Sequence, residues 1–242
     1  MQAIGIKELL EVGAHYGHQA RRWDPRMRKY IFTVKNGIHV IDLQQTVTLL
    51  DRAYHFVVNE VAKGGKVLFL GLKKEAQEVI LKEAERSNQF YINYRWLGGM
   101  LTNFKSLKVS IDRMREVKRM STDGTFEKLP KKEVVLLKRE YAKLYATFNG
   151  IRDMQALPKI IFVLDPKSEQ SAIREARKLD IPVISIVDTN CNPDMVDYPI
   201  PANDDSIRVV SLIIQNIANA CIEGAKNIVE KLDKNAYIER TP

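Results

Sequence analysis

The chain has 242 residues, 45% of them hydrophobic and 28% charged, values typical of a globular protein with a sizeable core. Its formal net charge is +8 and its pI about 9.3, so we expect an anionic partner such as nucleic acid, a membrane surface or an acidic protein. Two isolated cysteines, no apolar signal-peptide core and no long apolar run argue against a disulfide scaffold, a thiolate zinc site and a transmembrane helix. The expected location is cytoplasmic.

The positive charge is concentrated in two segments. Residues 1–36 carry seven Lys and Arg against three acids, and residues 102–150 carry twelve against six. The rest of the chain is slightly acidic. This distribution favours a surface for a polyanion over a general effect on solubility.

The first basic segment follows a predicted short helix, residues 6–12, that Gly13 can end. We call residues 14–30 the basic loop. Arginine forks suit phosphates and exposed aromatic rings suit bases, so the loop is interpreted as an RNA-binding segment. The alternative is a solvated connector with Trp23 in the core, but the density of cations favours RNA. His15 and His18 have no companion at ligand spacing, so no metal is expected there. The predicted RNA-binding residues of the loop are Arg21, Arg22, Trp23, Arg26, Arg28 and Lys29.

Regular elements follow the basic loop. Asn36-Gly37 between two β-rich runs, residues 30–34 and 38–41, predicts a hairpin, and a helix is predicted over residues 42–62. A buried strand at 67–70, a helix through Arg86 and a strand at 89–94 predict a βαβ unit and therefore a parallel sheet. The glycines of this region match neither a phosphate-binding P-loop nor a dinucleotide fingerprint.

Residues 95–103, with the sequence RWLGGMLTN, link this strand to a helix, and we call them the Gly-Gly loop. Arg95, Trp96 and Asn103 beside exposed backbone suit a phosphate and a base. The alternative is that Trp96 fills the core while the two glycines only turn the chain. Local sequence does not decide between these interpretations.

The second basic segment lies in a predicted insertion of two helices. Apolar residues recur at spacings of three and four over residues 104–120 and again over 130–148, which predicts an antiparallel pair with a heptad seam. Its cations, including Lys105 and Lys108, favour contact with RNA or a partner protein over a merely solvated face.

The second half resumes the α/β alternation. Strands are predicted at 160–164 and 182–187, an edge strand at 197–201, helices at 168–179 and from Asn203, and fraying after Gly224. Asp188, Asp194, Asp204 and Asp205 follow strand ends, where open sheets bind ligands. A divalent cation or a ribose is one interpretation, with Asp188, Asp204 and Asp205 as ligands. Turn and helix-cap roles are favoured. With no catalytic motif, the chain is not expected to be an enzyme.

Five motifs together resemble the family of protein two of the bacterial small ribosomal subunit. In family order they are GAHYGHQ (13–19) with RWDP (22–25), RWLGGMLTN (95–103), DGTF (123–126), VDTN (187–190) and IPANDDSIR (200–208). They extend over nearly the whole folded chain. The departures, Tyr16 where Phe is usual and Ser206 where Ala is common, are conservative.

The resemblance implies a three-layer α/β/α, flavodoxin-like domain with a mainly parallel sheet and an inserted antiparallel coiled-coil helical hairpin. The expected parts are a discontinuous α/β domain (1–101 and 151–228), the hairpin (102–150) and a C-terminal tail (229–242). It also implies binding to small-subunit ribosomal RNA near the junction of head and body. Further expected partners are neighbouring ribosomal proteins, including the large messenger-RNA-binding protein. No cofactor, membrane or small-molecule substrate is expected.

Two other interpretations stay open on the residues alone. An enzyme or sensor would use the crevice beside Asp188 and Asp204 for a nucleotide or a metal, although the missing phosphate loop argues against it. A protein scaffold would use the hairpin seam and bind no RNA.

Overall fold

The computed structural model describes residues 4–238, with side-chain surroundings as far as residue 228. The helices are α1 (Ile6–Glu11), α2 (Leu43–Val61), α3 (Gln77–Arg86), α4 (Phe104–Met120), α5 (Lys131–Phe148), α6 (Gln170–Lys178) and α7 (Ile207–Ile238). The strands are β1 (Tyr16–Gln19), β2 (Ile31–Lys35), β3 (Ile38–Ile41), β4 (Val67–Leu70), β5 (Phe90–Ile92), β6 (Ile160–Val163), β7 (Val183–Val187) and β8 (Tyr198–Pro201). Over this range, every helix is too short or too polar to span a bilayer.

The centre of the fold is a five-stranded sheet with the order β5-β4-β6-β7-β8, in which all neighbours are parallel. The predicted parallel sheet is therefore confirmed. In chain order the strands are arranged 2-1-3-4-5, one of the doubly wound arrangements that places helices on both faces. β8 lies at an edge, where Pro199 and Pro201 interrupt no second ladder.

The sheet separates two hydrophobic clusters. Phe69 and Phe162 point to one cluster with their rings 5.6 Å apart, and α2, α3 and α7 cover them. Leu68 and Ile161 point to the other, which α6 and the ends of α4 and α5 cover. Because both faces are buried, the strands are continuously apolar rather than alternating.

A second, three-stranded antiparallel sheet has the order β1-β3-β2. The predicted hairpin is confirmed, and Asn36 and Gly37 take φ values of 51° and 74°, as its two-residue turn requires. Interpreting residues 16–19 as loop was wrong, because they form β1 and pair with β3. The sequence YGHQ has no apolar alternation that would have indicated a strand.

The predicted helices of the insertion are present as α4 and α5, which lie against each other. Their seam residues are more buried than their neighbours, with Ile111 and Phe148 in the core and Leu137 and Leu144 half-buried. Between the helices, Arg113 Nε lies 2.9 Å from Glu140 Oε1.

α7 continues past Gly224 to Ile238, and the predicted fraying of its end stays a prediction. A Cβ at Gly224 would lie 2.7 Å from the backbone oxygen of Val58, so the glycine permits close packing of α7 on α2 and does not end the helix. Residues 229–238 of the predicted tail continue this helix, and residues 239–242 lie outside the described range.

Candidate nucleic-acid interface

The basic loop is fastened to the carboxyl end of β7 through Thr189. The backbone N–H of His18 donates to Thr189 Oγ1 at 2.8 Å, and that of Asp24 donates to the Thr189 carbonyl at 2.8 Å. Gly17 lies so close that a Cβ there would be 2.6 Å from Thr189 Cγ2. The loop is therefore held on the sheet rather than extended into solvent, and this approach requires glycine.

A short 3₁₀ helix, Pro25–Tyr30, sets the direction of the loop's cations. Asp24 caps it by accepting a hydrogen bond from the N–H of Arg26 at 2.9 Å. Met27 and Tyr30 are buried with the second cluster, a spacing of three that matches this helix. The intervening cations Arg28 and Lys29 are therefore exposed.

The other predicted RNA-binding cations are also at the surface, apart from the half-buried Lys108. Several have partners within the chain: Arg21 donates to Gln19, Arg26 pairs with Asp24 at 3.2 Å, Lys29 is 3.9 Å from Asp194, and Lys108 donates to the carbonyl of Gln155. Within the described residues, no hydrogen bond or ion pair engages the side chains of Arg22, Arg28, Arg95 or Lys105. These four charges are neutralised only by solvent or by a partner.

The two tryptophans of the site are less exposed than most of its cations. Trp23 is half-buried, and its ring centroid is 5.1 Å from that of His39. Trp96 is half-buried against the second cluster, and its indole N–H donates to Glu175 at 3.1 Å. Both rings thus order their loops. Stacking on a base stays a prediction.

Glu175 of α6 holds the Gly-Gly loop. Its Oε1 accepts from the N–H of Gly99 at 2.8 Å, and its Oε2 accepts from the N–H groups of Leu101 at 3.0 Å and Thr102 at 3.1 Å. Although partial burial disfavours the charge, the bonds from this backbone and from Trp96 lower the pKa of Glu175. The loop is thus an anion-binding turn that an internal carboxylate occupies.

Sequence reasoning missed Glu175. It lies more than 70 residues after the loop that it binds, and a glutamate inside a polar helix resembles any solvated residue. The only local signal was the series of backbone N–H donors in the Gly-Gly loop itself.

The basic loop and the Gly-Gly loop lie on the two sides of α6. Glu175 binds the Gly-Gly loop, and two residues later Arg177 donates to the backbone oxygen of Asp194. The carboxylate of Asp194 lies 3.9 Å from Lys29 of the basic loop. Helix α6 therefore contacts the Gly-Gly loop directly and the basic loop through Asp194, so it links the two predicted RNA-binding loops.

Three of the four predicted acidic residues gather beneath the basic loop. His18 Nδ1 lies 3.1 Å from Asp188 Oδ2, and its Nε2 lies 3.6 Å from Asp205 Oδ2. Lys73 Nζ lies 2.9 Å from both Asp204 and Asp205. Asp194 is separate and faces Lys29.

This cluster supplies its own cations. Asp165, Cys191 and Asp204 place one potential metal-ligand atom each within 4.8 Å of one another, yet Lys73 Nζ is also 4.0 Å from Asp165. Lys73 and His18 therefore stand where a cation would compensate the carboxylates, which favours the structural interpretation. A divalent site at Asp188, Asp204 and Asp205 stays the less favoured interpretation. Beside the cluster lies the expected crevice, about 370 Å³, lined by Lys73, Leu164 and Asp205.

The free energy of unfolding is expected to fall as the pH rises from about 6 to about 8, more than in a His18→Gln variant. The hydrogen bond with Asp188 raises the pKa of His18 above 6.5. Stability from this ion pair is thus complete below the unfolded pKa and is lost as the pH rises through the folded one. Burial and Asp188 raise the pKa of Asp204 to about 7, which acts in the same direction.

Urea unfolding at both pH values would measure this difference. His55→Gln is the matched control, because His55 is an exposed histidine on α2. Equal pH dependence in the wild-type chain and the His18→Gln variant would contradict the assignment.

A protein-family model described as ribosomal protein S2 matches residues 9–224. The match includes the basic loop, the Gly-Gly loop, both insertion helices and the acidic cluster. It therefore covers every segment that forms the candidate interface.

Proposed function

This chain belongs to the ribosomal protein S2 family, and we propose that it binds small-subunit ribosomal RNA through the basic loop, the Gly-Gly loop and the start of α4. Members of the family are structural proteins of the small ribosomal subunit. The chain is accordingly a ribosomal component and not an enzyme.

The observation that carries the RNA proposal is the set of uncompensated cations on ordered segments. Arg22, Arg28, Arg95 and Lys105 are exposed, and their charged groups have no hydrogen-bond or ion-pair partner within the described part of the chain. The loops that bear the first three are fixed by Thr189 and by Glu175, so little conformational freedom is lost on binding. Cations that meet phosphates release counterions, so affinity should fall steeply with salt.

We also propose a domain organisation for the chain. Residues 1–101 and 151–228 form a flavodoxin-like α/β domain, residues 102–150 form an antiparallel coiled-coil hairpin, and residues 229–242 form a tail. The strand order 2-1-3-4-5, the half-buried seam of α5 and the Arg113–Glu140 ion pair support it.

The proposed partners are small-subunit ribosomal RNA near the head–body junction and neighbouring small-subunit proteins, including the large messenger-RNA-binding protein. The proposed location is the cytoplasmic ribosome. Family membership and the exposed basic surface support these assignments.

Changing Arg21, Arg22 and Arg26 to Glu together is expected to weaken binding to a small-subunit ribosomal RNA transcript by about 100-fold or more at moderate salt. Three phosphate contacts are lost and replaced by repulsion, and the slope of log affinity against log salt should fall by about three. Filter binding across a salt series measures both quantities. Sedimentation of lysates through sucrose should show the variant leaving the small-subunit fraction.

The matched control reverses three exposed lysines away from the interface: Lys63 in the turn after α2, Lys82 on α3 and Lys226 on α7. It has the same net charge, so general electrostatics would weaken it equally. Equal losses in the two variants, or affinity that is indifferent to salt, would refute the assignment to the basic loop.

A further inference from the structure

We propose that the cleft at the base of α4 and α5 binds one unstacked nucleotide of the RNA, with the base on Tyr145 and a phosphate on Lys118. This site rests on the proposed RNA binding but lies outside the residues assigned to it above. The cleft has a volume of about 320 Å³ and is lined by Met114, Arg115, Lys118, Tyr141, Tyr145, Asn149, Arg152 and Asp153. That volume is at the lower end of the range of about 300–1,000 Å³ that small-molecule pockets span.

Tyr145 is exposed where the fold gives no reason for exposing a tyrosine. The heptad seam of α5 runs through Tyr141 and Leu144, which are half-buried, and Tyr145 lies outside it. Tyr145 is 42% exposed, and its ring centroid is 5.6 Å from that of Tyr141 with the planes at 36°. A second ring thus supports one that faces the cleft, an arrangement suited to stacking on a base.

Two arginines of the cleft are held in place within the chain. Arg152 Nε is 3.0 Å from the carboxylate of Asp153, and Arg115 is 3.6 Å from it and also donates to the carbonyl of Arg152. Arg152 donates in addition to the side-chain oxygen of Asn149 at 3.2 Å. These contacts make the wall of the cleft ordered and leave an excess of positive charge.

Lys118 differs from these two arginines in having a charge that nothing in the described part of the chain compensates. It is exposed on the same wall, and no ion pair or hydrogen bond of its ammonium group occurs within the described residues. An uncompensated ammonium beside an exposed aromatic ring matches the two parts of a nucleotide, a phosphate and a base. Charge complementarity therefore favours RNA over an acidic peptide, which would leave the ring unused.

The neighbouring cleft on α4 lacks this combination. It is lined by Val109, Asp112, Arg113, Arg115, Glu116 and Arg119, a set of charged residues with one valine and no aromatic ring. Arg113 there is paired with both Glu116 and Glu140. Bases inside an RNA duplex are stacked on one another, so the Tyr145 cleft fits a bulged or single-stranded nucleotide.

Tyr145→Ala in the full chain is expected to weaken binding to the small-subunit ribosomal RNA transcript about tenfold, whereas Tyr145→Phe should stay within about twofold. Lys118→Ala should reduce the slope of log affinity against log salt by about one. Leu136→Ala is the matched control for Tyr145→Ala, because Leu136 is 57% exposed on the same helix but does not line the cleft. Ultraviolet crosslinking of the wild-type complex should attach a nucleotide to the peptide that contains Tyr145.

Failure of this site is distinguishable from failure of the proposed function. If the wild-type chain does not bind the transcript, both fail. If reversal of the basic loop weakens binding while Tyr145→Ala and Lys118→Ala leave affinity and salt slope unchanged, only the nucleotide site is refuted. Should Tyr145→Ala fail to fold, as circular dichroism would show, Lys118→Ala and the crosslink decide the question.

Discussion

Glu175→Ala is expected to lower the free energy of unfolding by about 3 kcal/mol and to weaken binding to ribosomal RNA. The carboxylate accepts hydrogen bonds from the backbone of Gly99, Leu101 and Thr102 and from the indole of Trp96. Alanine leaves these donors, of which that of Thr102 is exposed and the others are partly buried, without that acceptor. Hydrogen bonds to a charged group contribute more than neutral ones, so the loss exceeds that of an ordinary surface substitution.

Glu175→Ala is expected to weaken RNA binding because Glu175 positions nearby cations, not because it contacts the RNA itself. Arg95 is the first residue of the Gly-Gly loop that Glu175 fixes, and Lys105 lies in the first turn of α4, which follows the loop. With the loop released, these cations sample more conformations, and ordering them on RNA costs additional free energy. Removing a negative charge would by itself strengthen binding to RNA, so a weakened complex identifies Glu175 as a positioning residue.

The variant Glu175→Gln separates the effect of losing the negative charge from the effect of losing the side chain. The amide keeps one acceptor oxygen but turns an NH₂ group toward donors, so we expect about half of the alanine effect. Glu78→Ala, at an exposed glutamate on α3, controls for loss of a negative charge. Urea unfolding and filter binding measure the two effects, and a Glu175→Ala chain as stable as the Glu78→Ala control would disprove the role.

The elements of the α/β domain could be predicted because their signals are local. Continuous apolar runs indicated the parallel strands, and Asn36-Gly37 indicated the hairpin turn. The same locality explains the errors. β1 was missed because it has no apolar alternation and forms by pairing with the edge of β3, and the packing of Gly224 on α2 was equally invisible in the local sequence.

The candidate site was predictable in part for the same reason. A cluster of cations is visible in sequence, so the basic loop was found without a structure. The residues that fix the two loops were not visible, because Thr189 lies far along the chain from the basic loop and Glu175 lies far from the Gly-Gly loop. Tyr145 could not be recognised from the sequence for a different reason. It is adjacent to the predicted heptad seam of α5, and what distinguishes it from the seam residue Tyr141 is its exposure, which only the structure shows.

Gly17→Ala is expected to destabilise the chain by about 2–3 kcal/mol and to displace the basic loop from the sheet. A methyl group at residue 17 would lie 2.6 Å from Thr189 Cγ2 and 2.8 Å from Thr189 Oγ1, well inside van der Waals contact. It would also be 3.2 Å from the backbone oxygen of His39, so the loop cannot shift toward β3 to avoid the threonine. Urea unfolding measures the loss, and binding to the ribosomal RNA transcript should weaken in parallel.

A double-mutant cycle tests whether the clash with Thr189 is the cause. Thr189→Ala removes both clashing atoms and also the hydroxyl that accepts from the N–H of His18, so it has a cost of its own. In that background Gly17→Ala should cost less than in the wild-type chain by about 1 kcal/mol or more, with the contact to His39 remaining. Gly98→Ala is the control, since a Cβ there meets no atom within 4 Å. If the cost of Gly17→Ala were the same in both backgrounds, the basic loop would not be seated on Thr189, and the cations that it carries would owe their position to other contacts.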